Sequence, residues 1–246
     1  MIVLGYDLET DGLDKHNCRI IEVGLVLYST GQRRIVESTS LFVKEAGAKI
    51  TPEITDLTHI SPEANDYFGY QIPEALEIVG HFFDSAEAVL GHNVNRFDKV
   101  VTANVTKRNN VALPERLWVD TMTDLPYGVK GEKLVTMCAQ APGGGFLLGD
   151  AHSAGADALG SLNLAIRWGI EGAIERAKVP NVLIRSHQAR DDESNKQARK
   201  AGFVWNNPHK IWWKVVKATD IDKIRMSVPF EISEVDKAIA IESVQD

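Results

Sequence analysis

Asp7 and Glu9 are separated by one residue in the segment Ile2 to Gly12, which reads IVLGYDLETDG. The apolar, branched residues ahead of them predict a buried strand, and Asp11-Gly12 ends it as a turn. Side chains alternate across a strand, so both carboxylates project from one face. Two such groups repel each other unless a cation lies between them or one keeps its proton. A divalent metal answers that demand where a strand leaves the core; a solvated strand end is the plainer alternative. A third carboxylate, Asp98, closes the segment GHNVNRFD at the start of a predicted helix. Alone it reads as a helix-start acid facing the dipole. His152 and Asp157 stand in HSAGAD. Five residues along a helix turn through about 500°, leaving these two about 140° apart. They converge only if His152 lies in a loop and Asp157 in the first turns of the helix.

The elements that must position these residues follow from the pattern of apolar residues. Residues 19–28 and 34–43 predict two further strands, giving with the first an antiparallel meander. Thr51-Pro52-Glu53 and Ser61-Pro62-Glu63 are helix starts with Pro at the first position. An amphipathic helix over 73–83, a short buried strand over 88–93 and a helix over 96–108 come next. Residues 117–121 predict another strand, 133–139 a helix, and 141–145, Ala-Pro-Gly-Gly-Gly, a flexible loop. One long helix is expected from Asp157 to about Arg176. Strands followed by alternating helices and strands indicate an α/β domain with a mixed sheet.

Pro180 marks a boundary. Beyond it a strand over 182–186, a helix capped by Asp191 or Asp192 and closed by Gly202, and a hairpin over 203–217 predict a small α+β domain. The expected division is 1–178 and 179–246. On the last strand Trp212 and Lys214 share one face, and Ile211, Trp213 and Val215 the other. The second set is assigned to the small core. The first is assigned to nucleic acid, where Trp212 would stack a base and Lys214 would hold phosphate. Protein docking or a purely structural role is the alternative.

Composition is that of an ordinary globular chain of 246 residues with net charge -7. That charge argues against a protein coated in basic surface, though not against nucleic acid met through metals. It is uneven, about +5 over residues 185–225 and about -12 over the rest. No long apolar span or signal pattern is present, so no membrane is expected. Cys18 and Cys138 lack metal-type spacing and read as reduced thiols in a cytoplasmic setting.

Asp7-Leu8-Glu9-Thr10, His92-Asn93 with Phe97-Asp98, and His152 with Asp157-Ala158 occur in an order and spacing that resembles the DnaQ-like DEDDh 3′–5′ exonucleases. The resemblance covers roughly residues 1–175 and extends to Ile50-Thr51-Pro52-Glu53, Leu57-Thr58-His59-Ile60 and Asp120-Thr121. His59 departs from it, since the family usually has Gly there. The resemblance implies an RNase H-like fold and two divalent ions, Mg²⁺ or Mn²⁺. Asp7, Glu9, Asp98 and Asp157 would hold the metals, and His152 would be the general base. Thr10 would receive the terminal nucleotide through its backbone. Leu13, Asn93 and Phe97 are further pocket candidates, with core packing as the alternative for Leu13 and Phe97. Hard oxygen ligands suit these ions, and phosphodiester hydrolysis needs the charge neutralisation they supply. The C-terminal segment looks like the small domain of some exodeoxyribonuclease X-like enzymes, phage-encoded ones included. The implied substrate is a 3′ end, single-stranded DNA first, with a polymerase or other replication or repair factor as a further partner. An RNase T- or oligoribonuclease-like ribonuclease, or a non-catalytic binding module on the same fold, are the alternatives.

Overall fold

The computed structural model describes residues 1–126, 129, 133–144, 152–188, 191–207 and 209–235. The chain divides into two compact units, Met1–Ala177 and a second that begins at Lys178.

The first unit opens with β1 (Ile2–Thr10), β2 (Ile20–Ser29) and β3 (Arg34–Lys44). Helices α1 (Pro52–Thr58) and α2 (Pro62–Phe68), the short β4 (Tyr70–Gln71) and α3 (Ile72–Ser85) follow. Next come β5 (Ala88–Gly91), α4 (Asp98–Arg108), β6 (Leu117–Asp120), α5 (Leu134–Gln140), α6 (Ala154–Trp168) and α7 (Ile170–Ala177). The sheet runs β4-β3-β2-β1-β5-β6. The β1–β2–β3 meander is antiparallel, while β1–β5 and β5–β6 are parallel. This is the mixed sheet flanked by helices that the residue pattern predicts.

Period-two alternation along β1 sorts its side chains between two cores. Leu4, Tyr6 and Leu8 pack with Val79, Phe82, Phe83, Val101 and Val105, from α3 and α4. Val3 packs with Val26, Leu90, Leu162 and Leu164 on the α6 side. Asp7 and Glu9 are in phase with Val3, so the acidic face of β1 is the face that α6 covers.

That cover is close because the contact is built from small residues. A Cβ added at Gly24 would lie 2.0 Å from the Ala154 carbonyl oxygen, and one at Gly5 3.0 Å from that of Ala158. A side chain at either position would lift α6 off the sheet. Helix α1 ends at His59 with φ of +60°. This is the left-handed region that glycine enters without strain, which explains a family preference for Gly at that position.

The expected long helix over 157–176 is two helices. Gly169, at φ of +98°, ends α6, and Ile170 starts α7. Gly145 of the expected loop and Pro208 of the expected hairpin lie outside the described residues.

The second unit holds β7 (Asn181–Ser186), α8 (Asp192–Lys200), β8 (Val204–Asn206) and β9 (Ile211–Lys217). A 3-10 turn (Ala218–Asp220), α9 (Ile221–Ser227) and β10 (Ile232–Glu234) complete it, in a sheet ordered β10-β7-β9-β8. Asp191 caps α8, accepting from the Ser194 N–H at 2.8 Å. The faces of β9 are the reverse of those expected. Trp212 and Val216 are in the core with Ile184, Phe203 and Ile224, whereas Val215 is exposed. Alternation says which residues share a face but not which face is covered, and here α8 and α9 cover the side of Trp212. Lys214, on that same face, donates to the Ala201 carbonyl at 2.9 Å. Burial pulls its ammonium pKa down. Neither residue presents the open stacking and phosphate-binding face assigned to it from sequence.

Trp212→Ala should therefore cost the second unit about 3 kcal/mol, as large-to-small core changes do. Val215→Ala should stay within about 0.5 kcal/mol. Urea denaturation of the two variants checks this; a larger loss from Val215→Ala would contradict the core described here.

Candidate active site

The site forms where β1 outruns β5. Strand β5 pairs with β1 only from Val3 to Gly5. The Leu8 N–H, past that pairing, donates instead to Asp98 Oδ1 at 3.0 Å. The acid at the start of α4 thus satisfies an open strand edge and is drawn against β1. Tyr6 Oη and Thr102 Oγ1, 2.9 Å apart and buried, tie the next turn of α4 to the same strand.

Asp157 arrives from the other side, in the first turn of α6. His152 precedes that helix with φ of +66°. Its backbone N–H donates to Asp157 Oδ2 at 3.2 Å. The left-handed residue turns the chain back, so His152 and Asp157 meet despite their angular separation along an ideal helix. One ligand atom from each of Glu9, His152 and Asp157 lies within 4.8 Å of the others. Asp157 Oδ1 is buried and has no hydrogen-bond partner among the described residues.

The electrostatics show how tightly the acids are gathered. Burial, then the charges of Asp98, Asp157, Glu9 and Glu22, hold the Asp7 carboxyl well above the usual carboxylate range. Burial with Asp157, Glu22 and Asp98 pushes Glu9 up to about 8. Burial raises Asp98 to about 7, even though it accepts the Leu8 N–H. Asp157 is raised by burial as well, with the His152 N–H pulling it back.

Glu22 is a fifth acid that reading the sequence as a uniformly buried strand passes over. It is 4% exposed and sits directly across from Glu9 in the β1–β2 register. Like charges so placed repel. Glu22 accepts from the Ala154 N–H at 3.0 Å and from Ser40 Oγ. Ser153, the residue before α6, makes no side-chain cap. A carboxylate from the sheet therefore caps the helix that carries Asp157, where the dipole favours negative charge. No local sequence signal announces a cap supplied from 132 residues away.

The segment between β5 and α4 is shaped by Asp120. Its carboxylate accepts from the N–H groups of Asn93 (2.9 Å), Asn95 (3.1 Å) and Met122 (2.9 Å). Thr121 Oγ1 lies 2.8 Å from His92 Nδ1. Asn93, at φ of +58°, and Phe97 ride on this frame, and Phe97 packs against the α3/α4 core. Leu13 is 91% exposed, so the packing alternative fails for it. Thr10 lies at the end of β1, its hydroxyl donating to the Gly12 carbonyl at 2.8 Å. Trp212 and Lys214 belong to the second unit.

A cluster of buried acids on an RNase H-like sheet, supplied by β1, α4 and α6, defines the class of protein. Residues 4–165 match the RNase T family model, described as an exonuclease, and the chain belongs to that family. Among solved structures it is similar to E. coli exonuclease I in complex with a dA16 oligonucleotide. That match has 18% identity and a TM-score of 0.57, over 76% of this chain and 48% of that one. It is similar also to the nuclease domain of 3′hExo, a DEDDh family member bound to rAMP. There the identity is 18% and the TM-score 0.56, over 70% of this chain and 94% of that one. The chain spans about half the length of exonuclease I. No curated protein matches it. No helix among the described residues is long and apolar enough to cross a membrane.

The donor set fits hard divalent cations: carboxylate oxygens crowded until they hold protons, and one buried oxygen without a partner. Without metal, Glu9 and Asp98 keep their protons to about 8 and about 7, while an unfolded chain ionises them near 4. The contribution of these two groups to the stability of the metal-free protein is thus fully present below about pH 4 and is lost as pH rises from there through their folded values of about 7 and about 8. Mn²⁺ should raise the melting temperature more at pH 8 than at pH 5.5. Equal shifts in melts at the two pH values would contradict it. Gly24→Ala, which drives α6 from the sheet, should cost about 1–3 kcal/mol and weaken Mn²⁺ binding about tenfold or more. Calorimetry reads both; unchanged metal affinity would show that the α6 contact does not position Asp157.

Proposed function

We propose that the chain is a DEDDh-type 3′–5′ exonuclease that removes nucleotides from DNA ends. The observation that carries the reading is the buried, unpartnered Oδ1 of Asp157 beside Glu9 and His152. A folded chain leaves such an oxygen unsatisfied at a cost of about 1–3 kcal/mol unless something binds it. Asp7, Glu9, Asp98 and Asp157 are the residues that would hold two Mg²⁺ or Mn²⁺ ions. Such ions, when bound, neutralise charge on phosphate oxygens and make water a stronger acid.

The remaining roles fall to the chain itself. His152, exposed beside Glu9 and Asp157, takes the proton from the attacking water. The Thr10 backbone receives the terminal nucleotide at the end of β1. Leu13 offers an exposed apolar side chain to its base, and Asn93 and Phe97 border the same nucleotide from the segment that Asp120 holds. Glu22 is a positioning residue, acting through α6. The small second unit aligns the chain, in this reading, with exodeoxyribonuclease X-like enzymes, phage-encoded ones among them.

End-labelled DNA and RNA strands, with and without Mg²⁺, test the reading. Stepwise shortening of DNA from the 3′ end is expected, abolished by EDTA and by Asp7→Ala or Asp157→Ala in folded protein. Undiminished turnover by either variant would sink the site. Faster shortening of RNA would redirect the substrate to a ribonuclease's. His152→Ala should slow cleavage by about 10²–10⁴-fold while keeping Mn²⁺ affinity. Lost metal binding in that variant would make His152 a ligand rather than the base.

A further inference from the structure

The second unit carries its own cleft, of about 240 Å³, within a few residues of its Trp pair. Arg185, Gln188, Asn195, Trp205, Lys210 and Trp212 are among its lining residues. Trp212 is a fixed wall. Its indole N–H donates to Asn195 Oδ1 at 2.9 Å, and the Arg199 guanidinium lies 5.4 Å from its ring centroid. Trp205, tilted 57° to Trp212 at 5.7 Å, is 39% exposed. An aromatic face of that kind, beside two cations, suits a planar ring attached to an anion.

The second observation is polar and independent. Both side-chain amide atoms of Gln188, Oε1 and Nε2, are buried and have no hydrogen-bond partner among the described residues, and Ser186 Oγ, on another residue lining the cleft, has none either. Burying a donor and an acceptor unpaired costs about 1–3 kcal/mol each, and native structures rarely carry both on one side chain without a use. The missing partner must offer an acceptor next to a donor. The edge of a nucleobase does so, and Gln pairs with such an edge in two hydrogen bonds. The surrounding chain has the matching sign, with charge of about +5 over residues 185–225. An acidic peptide would satisfy Arg185 and Lys210 but leave the indole face and the amide unexplained.

We propose that this cleft receives one nucleotide of a single-stranded nucleic acid. The base stacks on Trp205 and is read at its edge by Gln188, and Arg185 and Lys210 hold the phosphate. It rests on the exonuclease reading only in taking a nucleic acid, rather than a free nucleotide, as the source of the ligand.

Binding of fluorescein-labelled dT12 to the full chain in EDTA, followed by anisotropy, tests it. Trp205→Ala should raise Kd about 10- to 100-fold. Gln188→Leu should raise Kd too, with the melting temperature unchanged or higher, because the change removes an unpaired buried amide. A strand of abasic sugar-phosphate and a poly-glutamate peptide should both bind more weakly than dT12. No binding by the wild-type chain would overturn the proposal. So would Kd unchanged within twofold in either variant, or an abasic strand or peptide bound as tightly as dT12. Cleavage of the same strand by the wild-type chain in Mn²⁺ is scored in parallel. Absent cleavage counts against the exonuclease reading, whereas unchanged binding in the variants counts against the cleft alone.

Discussion

Mutual repulsion among buried carboxylates is the constraint on which the rest of the first unit depends. Asp98, Asp157 and Glu9 raise the pKa of Asp7, Asp157 and Asp98 raise that of Glu9, and Glu22 adds to the field at Asp7, Glu9 and Asp157. Burial is the largest cause in each case, because a carboxylate out of water loses solvation that no neighbour of the same sign restores. An arrangement this unfavourable persists only if the surrounding structure holds it and a cation rewards it. The sheet, the helix termini and the close glycine contacts all act in the first role.

Each acid is delivered by a different physical device. Alternation along β1 places Asp7 and Glu9 on the α6 side while Leu4, Tyr6 and Leu8 anchor the strand from behind. The unpaired edge of β1 captures Asp98 through the Leu8 N–H. Asp157 depends on α6 lying against Gly24 and Gly5, and on Glu22 capping that helix. The left-handed turn at His152 then brings the imidazole back over the cluster. Loss of any one device would move a carboxylate without touching it, so the sensitive positions extend well beyond the acids.

Much of this was legible in the residues. The strand periods, the Pro-led helix starts and the alternation of helices with strands foretell the mixed sheet, and Asp7 and Glu9 carry their shared face on the surface of the sequence. What escaped had tertiary causes. Glu22 sits in a strand buried on both faces, and only the register with β1 reveals its place opposite Glu9. The break at Gly169 interrupts a pattern whose apolar spacing continues into α7. Trp212 and Trp213 are chemically alike, so their strand offers no local clue to the covered side; α8 and α9 decide it. The cleft at Gln188 joins β7, α8 and the β8–β9 hairpin, a juxtaposition that spacing does not express.

In the proposed function the crowded acids hold divalent cations in place of protons. Calorimetric titration of Mn²⁺ into the metal-free chain at pH 7, repeated in two buffers of different ionisation heat, measures ions bound and protons released together. Two ions should bind, and protons should pass to the buffer, because Glu9 holds its proton to about 8 and Asp98 to about 7. Binding without proton release, or no binding by a chain that still shortens nucleic acid, would contradict it.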